Sequence, residues 1–113
     1  MALNSQFRTS DGANIAYTLH PPPQKNAPRL VLVHSLALDR SIWDGVVAKL
    51  ATKAEIVTYD CRGHGKSARK AGVYTAELFA RDLSEMLDHL GWAGRTGSGS
   101  VTAILRPTSG APP

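Results

Sequence analysis

A single cysteine in 113 residues, Cys61, excludes an internal disulfide and fits a reducing compartment. Long apolar runs are missing as well. The longest purely aliphatic stretch, Leu30-Val31-Leu32-Val33, is far short of the roughly 20 residues that a membrane-spanning helix needs. Met1 to Phe7 has neither the basic start nor the apolar centre of a secretory leader. These absences make a cytoplasmic protein without a membrane partner the default expectation. No segment repeats elsewhere in the chain, and its length allows one domain at most.

Concentrated charge of one sign is also scarce. The formal net charge is +4, yet residues 1–91 hold 11 Lys or Arg against 9 Asp or Glu. The one basic cluster is Arg62, Lys66, Arg69 and Lys70. No aromatic platform or groove-binding helix accompanies it, so it reads as a solvated loop and not as a nucleic-acid site.

What is present has a clear order. Ser5 to Ser10 and Asn14 to His20 read as two strands, with Asp11-Gly12 as the hairpin signal between them. Pro21-Pro22-Pro23 cannot donate to a ladder and opens an extended linker up to Pro28. Arg29 to His34 is an aliphatic strand with no polar face, which suits the interior of a parallel sheet. Ser41 reads as the N-cap of a helix whose apolar face is Ile42, Trp43, Val46, Val47 and Leu50. Glu55 to Asp60 then completes a strand–helix–strand crossover, which makes its two strands parallel. Thr75 reads as the cap of a second helix ending near Leu90. Phe79, Leu83, Met86, Leu87 and Leu90 form its stripe, Glu77, Arg81, Asp82, Glu85 and Asp88 fall largely elsewhere, and Gly91 is its C′ residue.

Composition changes after Ala93. Of the 20 residues from Gly94 to Pro113, thirteen are Gly, Ser, Thr or Pro, and none is acidic, aromatic or Lys. Only Val101 to Leu105 can make a short strand there. The division expected is a folded unit over residues 1–93 and a disordered or out-of-frame tail over 94–113.

The chain is organised around Tyr59-Asp60-Cys61-Arg62-Gly63-His64-Gly65-Lys66-Ser67, where an Asp ends a buried strand and two glycines let the backbone turn. Together with Leu30-Val31-Leu32-Val33-His34-Ser35-Leu36, Trp43-Asp44, and Tyr74-Thr75 opening Leu83-x-x-x-Leu87-Asp88-x-Leu90-Gly91, this wording resembles the amino-terminal part of the α/β-hydrolase family. The nearest branch is that of 3-oxoadipate enol-lactonases and small esterases, from about Phe7 to Trp92. The resemblance implies an α/β fold class: a partial α/β-hydrolase fold, with an amino-terminal hairpin and a parallel strand–helix–strand–helix unit in three αβα layers. It implies acyl transfer by Ser, His and an acid on a small ester or lactone, with no cofactor and no metal. By the same match, Leu36 contributes an oxyanion-binding backbone N–H, and His34 and Ser35 lie against substrate. A lone His at a strand end also reads as structural.

The family's nucleophile turn, Gly-x-Ser-x-Gly, is absent: no serine has Gly at both −2 and +2. The expectation is therefore a truncated relative, inactive by itself. Two other readings stand beside it: a non-catalytic interaction module built on the same half-sheet, and a fragment of a haloalkane dehalogenase-like enzyme with an Asp nucleophile. Gly65-Lys66-Ser67 fails as a phosphate loop because the glycine required five residues before Gly65 is Asp60. Cys61 and His64 have metal-like spacing without a second pair of ligands. A missing fifth strand would leave Leu30 to His34 as an open edge, partly wet Trp43 and Phe79, and invite self-association, unless Val101 to Leu105 pairs there as a substitute.

Overall fold

The computed structural model describes residues 2–24, 27–34, 39–67, 75–92 and 101–105; the side chains of Val101 and Leu105 are outside that description. Period-two alternation builds the first hairpin. Strand β1 (Leu3–Arg8) pairs antiparallel with β2 (Asn14–His20), and Phe7, Ile15 and Tyr17 turn to one face. The aliphatic β3 (Arg29–Val33) and β4 (Glu55–Tyr59) are parallel neighbours, and β4 also pairs antiparallel with β2. The fifth strand, β5 (Val101–Leu105), lies parallel to β3, giving the order β1-β2-β4-β3-β5.

Helices cover opposite faces, so the three-layer αβα arrangement is present. Helix α1 (Asp44–Leu50) follows a 3-10 turn at Arg40–Trp43 and covers Leu32 and Ile56 with Trp43 and Val47. Helix α2 (Ala76–Leu90) covers Ile15, Tyr17, Val31, Val57 and Tyr59 through Met86. Its ends follow the sequence. Thr75 Oγ1 accepts the Leu78 N–H at 3.1 Å. At the other end Gly91 has φ +75°, its N–H meets the Asp88 carbonyl, and the Trp92 N–H reaches the Leu87 carbonyl at 2.8 Å. That Schellman arrangement delivers Trp92 into the core.

Four expectations are corrected. The cap of the 3-10 turn is Asp39, whose carboxylate accepts the Ser41 N–H at 2.9 Å, so Ser41 is the capped residue and not the cap. The β3 edge is not open, because β5 pairs along all five of its residues. Trp43 is buried, not wet. Arg62 is no solvated loop cation: it is 2% exposed and held by two carboxylates. Arg69, Lys70, and residues 94–100 and 106–113 of the expected tail lie outside the described residues.

The Arg62 contacts tie three segments together. Nε and Nη2 donate to Asp82 on α2 at 2.9 and 2.7 Å, and Nη1 and Nη2 donate to Asp11 in the hairpin turn at 2.9 and 3.0 Å. Arg81 adds a contact to Asp11, and Glu85 accepts from the Ser10 N–H and hydroxyl at 2.7 and 2.6 Å. Asp82 sits three residues after Phe79 and four before Met86, on the buried stripe. A carboxylate there requires a buried cation, and Arg62 supplies it with fork geometry.

Removing one partner of a buried pair strands the other charge. Arg62→Ala is therefore expected to cost about 3–5 kcal/mol in urea unfolding, more than its loss of packing alone.

Acid should weaken the same region. The Arg62 guanidinium holds the Asp11 carboxyl well below its ordinary value, and the hydrogen bonds from Ser10 lower that of Glu85. A carboxyl depressed in the folded state contributes stability above its unfolded pKa and loses it as pH falls through the folded pKa. The urea midpoint should drop steadily from about pH 5 downward. Asp11→Asn should start lower at pH 7 and lose less on acidification; a midpoint as steep in pH as the parent's would contradict this.

Candidate functional site

Strands β3 and β4 run parallel with Val33 opposite Tyr59, so His34 and Asp60 leave the sheet side by side at its carboxyl end. That is where an open α/β sheet places ligands. His34 is buried, and its Nε2 accepts the Cys61 N–H at 2.9 Å. A backbone amide can only donate, so the neutral ring carries its hydrogen on Nδ1. The His64 ring lies 5.1 Å from it, centroid to centroid, and its Nδ1–H donates to the Arg62 carbonyl at 3.0 Å.

Asp60 is the hub. Its side chain is 3% exposed, so an ionised carboxylate there must be fully hydrogen-bonded. The Arg40 and Lys66 amides each donate to it at 2.8 Å, and the Arg40 guanidinium closes on Oδ2. Its N–H reaches the Ala16 carbonyl at 2.9 Å. Its own carbonyl accepts the Ser67 hydroxyl, whose oxygen accepts the Ala16 N–H at 2.9 Å. Ser67 is thereby used on both sides.

Two successive turns make this possible, His64 N–H to Cys61 carbonyl and Ser67 N–H to His64 carbonyl, both at 2.9 Å. Gly63 and Gly65 take φ of +80° and +49°. At Gly65 a Cβ would fall 2.4 Å from Asp60 Cγ and Oδ2. The glycine is needed because the carboxylate occupies that space. The same geometry explains the phosphate-loop wording: the Lys66 amide already holds an anion, and it is the chain's own.

Cys61 is buried, and desolvation pushes its thiol up to about 11. It is a core residue, unsuited to nucleophilic work at neutral pH. Among the described residues no group of His, Cys, Asp and Glu is set to hold a metal, and no helix is long and apolar enough to cross a membrane. A pocket of about 520 Å³ opens on the α1 side, lined by Thr18, His20, Arg40, Asp60 and Lys66 among others; His34 is not part of its lining.

Of the expected site residues, only His34 is described. Ser35 and Leu36 lie outside the described residues. The structure brings His34 against Cys61 and near His64, and it fastens Arg40 to Asp60. Sequence reasoning did not single out Arg40 or Asp82. For Asp82 the signal was available in its helical phase; for Arg40 nothing in the wording marks it.

The family model for the α/β-hydrolase fold matches residues 28–96. The chain belongs to that family. It is 34% identical over 67 residues to 3-oxoadipate enol-lactonase 2 of Acinetobacter baylyi, a match covering 59% of this chain and 25% of that protein. The crystal structure of the enol-lactonase from Burkholderia xenovorans superposes with a TM-score of 0.75 at 29% identity, over 88% of this chain and 36% of that one. The haloalkane dehalogenase DatA from Agrobacterium tumefaciens reaches 0.76 at 20% identity, over 93% and 32%; at that identity the likeness concerns the fold alone. The chain thus spans about a quarter of the length of the curated relative it matches.

Gly65→Ala should test the knot. The left-handed backbone and the displaced carboxylate together should cost on the order of 3 kcal/mol. Gly91→Ala, with φ +75° and nothing within 4 Å of the new Cβ, should cost about 1 kcal/mol. Equal losses in thermal unfolding would show that Asp60 yields freely.

Proposed function

We propose that this chain is the oxyanion-side portion of an ester- or lactone-hydrolysing α/β-hydrolase, without turnover of its own. The reading is carried by one pairing: a strand–loop scaffold like that of the enol-lactonases, and a sequence in which no serine occupies Gly-x-Ser-x-Gly. In this reading the loop after β3 contributes the Leu36 N–H to a developing oxyanion. His34 and Ser35 shape the substrate side of that loop. No serine of these 113 residues stands in the family's nucleophile turn, and this reading assigns none of them to the Ser, His or acid of the reaction.

The arrangement of the described groups supports the inactive half of the reading. Ser67 donates to a carbonyl, His34 Nε2 is engaged by an amide, and Asp60 is saturated by donors. None of them is poised to pass a proton to a substrate.

An activated aryl ester and a fluorophosphonate label test this together. The folded chain should hydrolyse the ester no faster than the same chain in urea, and no serine should be labelled. Saturable turnover with one serine labelled in proportion to protein would overturn the proposal.

A further inference from the structure

Among aspartyl bonds, Asp-Gly rearranges readily in water, because no Cβ on the following residue hinders attack by its nitrogen. The chain has two such bonds, Asp11-Gly12 in the hairpin turn and Asp44-Gly45 at the start of α1. In the rearrangement the glycine nitrogen bonds to the aspartyl Cγ and gives up its proton, and the carboxyl leaves one oxygen as water. Water then opens the resulting succinimide at the main-chain carbonyl of the aspartyl residue. The product, isoaspartate, has the same mass, a backbone that runs through Cβ and Cγ, and its free carboxylate on Cα.

The hairpin turn refuses both requirements of that reaction. The carboxyl must be protonated to lose water, since a carboxylate resists nucleophiles. Asp11 Oδ1 accepts from Thr9 Oγ1 at 2.5 Å and Arg62 Nη2 at 3.0 Å, and Oδ2 accepts from Arg62 Nη1 at 2.9 Å and Arg81 Nη2 at 3.2 Å. The bonds from Arg62 first, and then from Thr9, keep that carboxyl ionised well below its ordinary range. The attacking nitrogen must also be available, and the Gly12 N–H is spent on the Thr9 carbonyl at 2.9 Å. With φ at +90°, Gly12 cannot be exchanged for a hindered residue without strain, so the fold keeps the reactive pair and guards it.

We propose that Asp11-Gly12 is a latent isoaspartate site, held closed by the Arg62 and Thr9 hydrogen bonds and opened when they are lost. Opening it is one-way. The rearranged carboxylate stands on Cα and no longer meets the fork of Arg62, which is left with Asp82 alone.

Trypsin puts the two Asp-Gly bonds of the full chain on separate peptides, Thr9–Lys25 and Ser41–Lys49. Isoaspartate in each is counted by electron-transfer fragmentation after incubation near neutral pH. A carboxyl's neutral fraction changes about tenfold per pKa unit, so at Asp11 the folded chain should react about tenfold or more slowly than the same chain in urea. Arg62→Lys keeps the charge and gives up the fork; Thr9→Val keeps the shape and gives up the hydroxyl. Each, folded by circular dichroism, should speed the reaction at Asp11 about tenfold while leaving Asp44 unchanged. Thr9→Ser should stay at the parent rate, and so should Gly91→Ala, which weakens the fold at a distance. Equal rates at Asp11 in the folded and urea-unfolded parent, no acceleration in Arg62→Lys and Thr9→Val, or the same acceleration in Gly91→Ala would overturn the proposal. If Arg62→Lys does not fold, Thr9→Val against Thr9→Ser decides alone.

Discussion

The carboxylate of Asp60 is the constraint from which the carboxyl end of this sheet is built. A buried charge must be satisfied in full, and the chain does so with two backbone amides and a guanidinium drawn from both sides. Meeting that requirement fixes Arg40, where the chain returns from the loop after β3. It also fixes Lys66, and through it the tight course of Gly63 to Ser67. His34 is fastened to the next residue in sequence, Cys61. The loop between His34 and Arg40 is therefore pinned at both ends by consecutive residues of one strand terminus.

A second buried charge serves the opposite side of the sheet. Arg62 joins α2 to the hairpin turn by way of Asp82 and Asp11. The two ionic centres are separated in sequence only by Cys61. One strand terminus thus organises both layers, one centre facing α1 and the other α2.

Much of this was legible in the sequence, for identifiable reasons. The aliphatic run Leu30 to Val33 announced a strand covered on both faces, and the stripe between Thr75 and Gly91 announced α2. Local signals of that kind depend on neighbours along the chain. The start of the first helical segment was misread because Asp39 and Ser41 are both good caps, and only the tertiary position of Arg40 decides between them. Arg62 was misread for a related reason. A cation in a basic loop looks solvated until its partner, twenty residues later on a helix, is known to face inward. Asp82 had the phase of a core residue and the chemistry of a surface one, and chemistry prevailed wrongly. β5 carried a five-residue apolar signal in a polar tail, too short to distinguish a strand from an accident until β3 was seen to receive it.

The Arg62 triad also has a consequence for the order in which the chain comes into existence. A ribosome delivers Asp11 first, then Arg62, and Asp82 only after twenty further residues. Until α2 has emerged, the guanidinium has one carboxylate, and the face of the sheet beneath it has no cover. The hairpin, β3 and β4 can pair by then, since all their ladders lie within the first sixty residues. Birth of the protein from its amino end thus passes through a half-clad sheet with an underpaired charge at its rim, and the arrival of one helix resolves both at once.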